Sequence, residues 1–348
     1  MLDLLDIKNF KCIEEQVFGL KPLTIVTGLN STGKSTVIQS ILLLSSVISN
    51  NSILQELVKK YSSFNEVRNK YVNLKNISLY IKEDYFDVGL TIFPKNESGL
   101  SMEYHNSLDW KSLEFEKNLF YISSNRIGQE DIAPYDENIR FGTNGKYVFG
   151  YFEQNKDKVI FNKLIKYDDL HTLDAQVSYW LNYILDIDLR VVTSKITNTY
   201  IKVTFNSDGL EDISPFNLGA GNSYLAKILI MGLSLKKNNI FIIENPEIHL
   251  HPKAQARLND FFIMLVNAGI QIVVETHSEH FINKLRYNTY KDNILKDKSV
   301  IFYKKSIRDK FEVININQNG HFVNEESNEI NFPTGFFDST LDELMEIM

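Results

Sequence analysis

The chain has 348 residues, 43% of them hydrophobic and 23% charged, which is the composition of an ordinary globular protein with one large domain or two. A net charge of −7 excludes a surface that attracts nucleic acid over its whole extent. The single cysteine, Cys12, excludes an internal disulfide framework, and no apolar run reaches the roughly 18 residues that span a bilayer. Residues 1–10 also lack a signal-peptide pattern, so we expect a cytoplasmic protein.

Hydrophobic periodicity predicts the elements in chain order. The N-terminal part predicts strands at 4–10 and 23–27 and a helix at 34–48. The middle predicts a short helix near 54–61, antiparallel strands at 77–81 and 86–93, a strand at 120–123, a helix over 158–187, and a hairpin of 188–192 and 200–205. The C-terminal part predicts a helix from 221, a strand at 240–243, a helix at 253–266, a strand at 271–275 and a helix at 279–286.

The alternation of helices and strands near the C-terminus indicates a sheet wrapped by helices. We therefore predict an α/β fold with a mixed or parallel sheet, and the loop at residues 28–36 predicts that its core is a P-loop NTPase core. The predicted core consists of residues 1–49 and 217–348, and a β-rich and helical insertion of residues 50–216 interrupts it.

A phosphate-binding loop follows the second predicted strand. Residues 28–36 read GLNSTGKST, which is G-x-x-x-x-G-K-[ST] between a strand and a helix. The glycines allow backbone N–H groups to approach phosphates, Lys34 can reach the β- and γ-phosphates, and Ser35 offers a hydroxyl to Mg²⁺. The alternative is a Gly/Ser loop before an amphipathic helix that happens to start with lysine. The sequence predicts ATP and Mg²⁺ as cofactors, with the nucleotide held by Gly28, Asn30, Ser31, Thr32, Gly33, Lys34, Ser35 and Thr36.

Two later strands also end in polar side chains. Residues 241–252 read FIIENPEIHLHP, and residues 271–278 read QIVVETHS. Ligands of open parallel sheets bind beyond the carboxyl ends of the strands. We therefore expect Gly28, Glu244 and His277 at one edge of the sheet.

These segments, with IKNFKCIEEQVFGLKPLTIVTGLNSTGKSTVIQSILLL at the start and VETHSEHFINKLR near the end, carry a family resemblance. The chain resembles the ABC-type ATPase heads of the SMC/RecF/OLD group. It is most similar to the compact AAA-type ATPases without coiled coils from bacterial anti-phage defence, as in PARIS-, Septu- or Gabija-like systems. The resemblance covers both ends of the chain well and residues 50–210 poorly.

The resemblance implies roles for individual residues. Glu244 falls on the metal-side acid, beside Ser35 as a Mg²⁺ ligand, and Asn245 on the position of the water-polarising glutamate. His277 falls on the histidine that senses the γ-phosphate. Residues 218–222, LGAGN, fall on the signature loop that covers the ATP of a second subunit in a head-to-tail homodimer or higher oligomer. Within and just after that loop, the residues assigned to the nucleotide are Gly219, at the usual serine position, Gly221 and Ser223.

Asn245 raises the question of hydrolysis. An amide accepts no proton at neutral pH, so Asn245 cannot be a general base, although it can orient a water. Glu247, two residues later, could supply the missing carboxylate, or it could be an acid that interacts with the dipole of the next helix. We favour slow ATP hydrolysis with Glu247, Asn245 and His277 as catalytic candidates. The alternative is an assembly scaffold that binds ATP without hydrolysing it.

Two weaker patterns leave alternatives open. In NRIGQ, residues 125–129, Arg126 or Gln129 could reach nucleotide or metal, or the segment could be a solvated turn. A second set of side chains could form a transition-metal hydrolase site, which is the lesser alternative function. That set comprises His249, His251, His277 and His280 with Glu244 and Glu247.

The resemblance also implies an output. It places the chain in nucleic-acid surveillance or anti-phage defence, where the ATP state controls a separate effector protein such as a nuclease or toxin. Residues 286–348 contain no acidic cluster typical of a nuclease. The basic stretch at 291–310 is interspersed with acids and is typical of a solvated face. We expect contact with nucleic acid to be indirect, and no membrane partner.

Overall fold

The chain forms two compact units in the computed structural model, which describes residues 1–49, 63–95, 99–107 and 111–333. The first unit comprises Met1–Leu113 with Glu275–Met348, and the second comprises Glu114–Val274. The helix expected near 54–61 lies outside the described residues. The division into a core of 1–49 and 217–348 and an insertion of 50–216 stays a prediction.

Strands and helices alternate one by one between Ala220 and Lys291, and elsewhere in the described chain strands or helices follow one another in groups. The strands are β1 (Leu4–Phe10), β2 (Ile13–Gly19), β3 (Leu23–Gly28), β4 (Ile77–Glu83), β5 (Phe86–Lys95), β6 (Gly99–Asn106), β7 (Leu119–Ile122), β8 (Ile132–Pro134), β9 (Leu189–Lys195), β10 (Tyr200–Ser207), β11 (Leu210–Ile213), β12 (Ile240–Glu244), β13 (Gln271–Glu275), β14 (Ser299–Lys304), β15 (Glu312–Ile316) and β16 (Phe322–Val323). The helices are α1 (Lys34–Ile48), α2 (Phe64–Val67), α3 (Val148–Asn155), α4 (Leu173–Leu185), α5 (Ala220–Leu233), α6 (Pro252–Asn267), α7 (Glu279–Lys291) and α8 (Leu295–Lys298).

The first unit contains an antiparallel sheet with the strand order β2-β1-β4-β5-β6. Side chains of β1 alternate between buried and partly exposed, because successive residues of a strand point to opposite faces. Ile7 is fully buried and lies opposite Gln16 of β2 and Leu79 of β4. The strands predicted at 77–81 and 86–93 are thus confirmed as β4 and β5, and they share a sheet with β1.

A second group of strands in the first unit carries the predicted phosphate-binding loop. Its order is β16-β15-β14-β3, with β3 parallel to β14 and β14 antiparallel to β15. All six residues of β3 are buried, as the continuous apolar run predicts for a strand covered on both faces. Helix α1 follows β3 and packs against β1, β3, β4 and β5.

The second unit has its own strands and helices. Strands β13, β12 and β7 are neighbours in that order, and β12 runs parallel to β7 with Ile242 opposite Tyr121. All five residues of β12 are buried. A smaller antiparallel sheet has the order β11-β10-β8, with β9 also paired to β10, which confirms the predicted hairpin.

The helix predicted over 158–187 is wrong in its first half, since α4 begins only at Leu173. Thr172 caps the N-terminus by accepting a hydrogen bond from the Ala175 N–H. The preceding loop keeps its own conformation because the Gln176 side chain bonds its backbone. The Gln176 Oε1 accepts from the N–H groups of Lys166 and Tyr167. A side chain thus satisfies backbone groups that a longer helix would otherwise have paired.

The predicted α/β class is confirmed, with both parallel and antiparallel strand pairing and helices between the strands. The periodicity analysis missed several elements, which include β2, β8, β11, α3 and the strands β14–β16. Within the described part of the chain, none of the helices combines the length and apolar character needed to cross a membrane.

Candidate nucleotide-binding site

The loop between β3 and α1 has the backbone conformation that its glycines predict. Gly28 has φ 136° and Gly33 has φ 99°, both in the region that favours glycine. A Cβ atom on Gly28 would lie 2.1 Å from the Lys304 carbonyl oxygen, and one on Gly33 would lie 1.9 Å from the Cys12 Sγ. Neighbouring segments of the same chain therefore leave no room for a side chain at either position.

Thr32 and Lys34 of this loop turn inward. Lys34 is only 4% exposed, and its Nζ donates to the Leu29 carbonyl oxygen at 2.6 Å. The Thr32 hydroxyl donates to the same oxygen at 2.9 Å, whereas Asn30 and Ser31 are exposed. Burial lowers the pKa of Lys34, and the Glu275 carboxylate opposes that shift. No side chain caps the N-terminus of α1, so the loop combines a buried lysine with an uncapped helix end, the features that bind phosphate.

A carboxylate lies next to the predicted magnesium ligand. The Ser35 hydroxyl donates to the Glu275 Oε1 at 3.1 Å, and Glu275 is 5% exposed. The residue after Glu275 is bound to β3, since the Thr276 N–H donates to the Val26 carbonyl and the Thr27 hydroxyl donates to the Thr276 carbonyl. Two hard oxygen ligands in this position fit a magnesium ion that arrives with nucleotide phosphates. The pair Ser35 and Glu275 would hold the ion, and the ion would screen the phosphate charge.

Glu275 is a site residue that the sequence analysis missed. It ends a fully buried strand with a carboxylate, as Glu244 does. The same sequence pattern, an acid at the end of a buried strand, therefore marks both residues, and the family resemblance assigns a role to Glu244 alone.

His277 belongs to the same unit as the loop and is exposed at the surface. Desolvation of the ring and the nearby Lys34 ammonium lower the pKa of His277 to about 4. The imidazole is therefore neutral at pH 7 and able both to donate and to accept a hydrogen bond. That is the chemistry expected of a group that senses a phosphate, and the role itself stays a prediction.

In the second unit, Glu244 is held by its neighbours on β7. Its carboxylate accepts hydrogen bonds from the Tyr121 hydroxyl at 3.0 Å and from the Ser124 N–H and hydroxyl at 3.0 and 3.1 Å. These three donors satisfy both carboxylate oxygens of a side chain that is 8% exposed. Its predicted role as a metal ligand stays a prediction.

Asn245 begins the tight turn that follows β12. It has φ 44°, a left-handed conformation in which asparagine and aspartate are several-fold enriched among side-chain-bearing residues. The Ile248 N–H then donates to the Asn245 carbonyl, and the Leu250 N–H donates to the Glu247 carbonyl. The backbone therefore gives asparagine a conformational reason to occupy this position, independent of catalysis.

Arg126 ties this turn to the segment after β7. Its guanidinium donates to the carbonyls of Glu244 at 2.8 Å and Asn245 at 2.7 Å, and it lies 5.1 Å from the centre of the Tyr224 ring. Arg126 is 4% exposed. Burial lowers the pKa of Arg126 to about 10, and the Glu247 carboxylate is the strongest of the nearby groups that oppose this shift. The NRIGQ segment is thus neither a solvated turn nor free to reach outward at Arg126.

Gln129 in the same segment holds the predicted signature loop. Its amide Nε2 donates to the carbonyls of Pro215 at 3.0 Å and Leu218 at 2.6 Å. Lys227 of α5 completes the connection, with its Nζ bonded to the Ile127 carbonyl and paired with Glu130. Residues 124–130 therefore form a brace between the turn after β12 and the loop before α5.

The predicted signature residues lie at the N-terminus of α5. Gly219 is its exposed N-cap residue, and a Cβ added there would meet no atom within 4 Å apart from its chain neighbours. Gly221 is buried, and a Cβ there would lie 2.4 Å from the His249 carbonyl oxygen. Ser223 is 1% exposed. The structure thus explains Gly221 by close packing, and leaves Gly219 at the surface where a ligand could approach.

The histidines serve separate purposes. The His249 ring stacks on Tyr224 with 5.3 Å between centres, and the His251 Nδ1 accepts from the Lys253 N–H at the start of α6. His280 lies 3.9 Å from the Glu279 carboxylate. Among the residues that the structure describes, no group of three or more His, Cys, Asp or Glu side chains is placed to hold a metal ion. The transition-metal hydrolase alternative therefore has no site in the described part of the chain.

Comparison with known proteins decides the family. Residues 23–283, well over half of the chain, match the family model described as "AAA domain, putative AbiEii toxin, Type IV TA system". The chain belongs to this family. Membership in the AAA family, together with the P-loop geometry, makes it an ATP-binding protein of the ATPase class.

A curated relative is similar to this chain over a shorter stretch. The chain is 30% identical over 111 residues to the Old nuclease of Escherichia phage P2. The matched stretch covers 30% of this chain and 19% of the Old nuclease, so the chain spans about a fifth of that relative.

Solved structures show the fold of this AAA family member. An SMC head domain with an extended coiled coil from Pyrococcus furiosus, bound to the C-terminal domain of ScpA, has a TM-score of 0.54 and 10% identity, with 99% of both chains covered. An SMC head bound to the C-winged helix domain of ScpA has a TM-score of 0.52 and 12% identity, with 90% of this chain and 97% of that chain covered. The chain therefore has a fold similar to that of SMC heads, and the expected ABC-type head fold is confirmed.

Proposed function

We propose that this AAA family member binds ATP with Mg²⁺, hydrolyses it slowly, dimerises around the nucleotide and controls a separate effector protein. The observation that carries the proposal is the P-loop. It combines the buried Lys34 ammonium, the Ser35 hydroxyl and the uncapped N-terminus of helix α1 in one short segment. Equilibrium binding of labelled ATP to the purified chain, with and without Mg²⁺, tests the first step.

Dimerisation around ATP is supported by the exposed N-terminus of α5. Gly219 caps that helix at the surface, where backbone N–H groups and the positive helix end suit a phosphate from a second copy of the chain. Nucleotide held between two copies makes the dimer depend on ATP by mass action. The brace through Gln129 keeps this loop in place within one copy.

Substitutions at Gly219 are expected to change ATP-dependent dimerisation in opposite directions. Gly219→Ser adds the hydroxyl of the usual signature serine where space is open, so it should tighten the dimer. Gly219→Glu places a negative charge against phosphate and should weaken the dimer at least about tenfold. Analytical ultracentrifugation with Mg²⁺ and ATP measures both effects.

Asn198→Glu, in the exposed turn between β9 and β10, is the matched charge control and should dimerise as the wild type does. Gly221→Asp is unsuitable as a test, because its side chain would collide with the His249 carbonyl and disturb folding. A wild type that stays monomeric with ATP would contradict the dimer, and so would a Gly219→Glu variant that dimerises normally.

Slow hydrolysis with Glu247 as the general base is the proposed chemistry. Glu247 is the carboxylate that remains in the turn where Asn245 replaces the usual acid, and it lies close enough to Arg126 to influence its pKa. Glu247→Gln is expected to reduce phosphate release by about 10²- to 10⁴-fold, the usual contribution of a general base. ATP affinity should stay within a few-fold, which separates loss of chemistry from loss of binding.

Asn245→Asp is the matched companion, because aspartate also tolerates the φ of 44° and adds a carboxylate without added volume. Asn245→Glu adds strain of about 1 kcal/mol in that conformation and is the poorer probe. We expect Asn245→Asp to equal or exceed the wild-type rate and Asn245→Ala to lose less than Glu247→Gln. Equal rates for Glu247→Gln and the wild type would remove Glu247 from the mechanism.

The second candidate function is a scaffold that is locked by ATP. The left-handed conformation of Asn245 favours the scaffold, because the turn is occupied by a residue that suits this conformation but cannot accept a proton. Single-turnover measurement of bound ATP separates the two functions. A scaffold returns intact ATP after many hours, whereas a slow ATPase returns ADP and phosphate.

The effector is proposed to be another polypeptide, such as a nuclease or toxin, in cytoplasmic anti-phage defence or nucleic-acid surveillance. The family description names a toxin, the phage P2 relative is a nuclease, and the SMC heads of similar fold are bound to ScpA domains. Net charge −7 supports indirect contact with nucleic acid. A purified chain that degrades DNA or RNA by itself would contradict a separate effector.

A further inference from the structure

Glu275, at the end of β13, lies beside the phosphate-binding loop. Its Oε1 accepts from the Ser35 hydroxyl at 3.1 Å, and it is buried. Both residues belong to the first unit, and the backbone of Thr276 is fixed to β3 by two hydrogen bonds. The carboxylate is therefore placed next to the hydroxyl that P-loop proteins direct at magnesium.

A buried carboxylate needs a compensating charge. Without nucleotide, Lys34 is a nearby cation, and Glu275 raises its pKa against the effect of burial. ATP changes this balance, since Lys34 then faces phosphates that carry several negative charges. A metal-free nucleotide would place those charges near Glu275 with no added cation, whereas a nucleotide that arrives with Mg²⁺ brings its own.

Glu244 has a different environment. Both of its carboxylate oxygens accept hydrogen bonds, from Tyr121 and from Ser124, and these bonds satisfy the oxygens without a metal ion. Its carboxylate is thus satisfied as a structural link between β12 and β7.

Resting on the proposed ATP binding, we propose that Glu275, rather than Glu244, is the acidic side chain that couples nucleotide binding to the divalent cation. Glu275 would hold the ion together with Ser35, directly or through its water shell, and would discriminate against metal-free ATP. Glu244 would act as a positioning residue for the turn after β12.

The test measures the affinity for labelled ATP in excess Mg²⁺ and in excess EDTA, for the wild type and three variants. In the wild type, Mg²⁺ should tighten binding by about tenfold or more, because one adjacent charge shifts a local equilibrium by roughly 10- to 1000-fold. Glu275→Gln should lose most of this dependence, chiefly because metal-free ATP binds more tightly. Glu275→Asp keeps the charge and should retain the dependence, and Glu244→Gln should behave as the wild type does.

Electron paramagnetic resonance of Mn²⁺ measures the free and bound ion and does not depend on catalysis. With ATP present, Glu275→Gln should leave more Mn²⁺ free than the wild type or Glu244→Gln does. Wild-type metal dependence in Glu275→Gln, or its loss in Glu244→Gln, would overturn the assignment. If Glu275→Gln does not fold, Glu275→Asp is compared with Glu244→Gln. Both variants should keep the Mg²⁺ dependence of ATP binding, and its loss in Glu244→Gln alone would overturn the assignment. A wild type that binds no ATP under either condition would instead remove the proposed function and this assignment with it.

Discussion

Replacing Lys34 by alanine is expected to abolish measurable ATP binding while leaving the fold intact. Its ammonium lies within the loop, bonded to the Leu29 carbonyl, and would exchange that bond for phosphate oxygens. Hydrogen bonds to charged groups contribute about 1.5–3 kcal/mol each, and Lys34 would make two of them, to the β- and γ-phosphates, so the affinity should fall at least about 100-fold. Equilibrium binding of labelled ATP measures the loss.

The control for Lys34→Ala is Lys82→Ala, which removes an exposed lysine from β4 of the same unit. Circular dichroism of both variants should match the wild type. If Lys34→Ala binds ATP with unchanged affinity, residues 28–36 do not form a nucleotide site and the proposed function fails.

The second large effect is expected from Arg126→Ala. This substitution removes the guanidinium that donates to the carbonyls of Glu244 and Asn245, and it opens a buried space beside Tyr224. Among the donors of the described residues, the Asn245 carbonyl then keeps only the Ile248 N–H. Loss of one member of a buried polar network typically costs about 3–5 kcal/mol. We expect the free energy of unfolding of the second unit to fall by that amount in urea denaturation.

Arg190→Ala is the matched control for Arg126→Ala, since Arg190 is an exposed arginine paired with Asp174 in the same unit. Exposed ion pairs contribute about 0–1 kcal/mol, so this variant should unfold close to the wild type. Equal stabilities for the two variants would show that Arg126 does not hold the turn after β12.

Elements with strong local patterns can be predicted from the sequence. The apolar run of β3, the glycines of the following loop and helix α1 agree in periodicity and in backbone conformation, and their predicted bounds are correct to within a residue. The two strands that end in glutamate are predictable for the same reason.

Contacts between distant residues cannot be predicted in this way. Helix α4 starts late because the Gln176 side chain bonds the backbone of an earlier loop, and nothing in the periodicity of 158–187 shows that bond. Likewise, Arg126 and Gln129 have the pattern of a polar turn, although the structure buries Arg126 and bonds Gln129 to a loop almost 90 residues away.

In the candidate site, too, local chemistry can be predicted from the sequence and contacts between distant residues cannot. The chemistry of Lys34 and Ser35 is predictable because one short motif contains it. The partner of Ser35 is not, because Glu275 lies 240 residues further along the chain and only the adjacency of the two residues in the fold reveals it.

The close approach of Gly221 to the His249 carbonyl has a mechanical consequence. Helix α5 and the turn after β12 have room for no more than a hydrogen atom between them at Gly221. The brace of residues 124–130 connects the same two parts by hydrogen bonds. Interiors packed this tightly transmit displacement rather than absorb it. A shift of the turn would therefore move the N-terminal end of α5 with it. If two copies of the chain bind ATP between them as proposed, such a movement would change the contact that α5 makes with the nucleotide of the other copy.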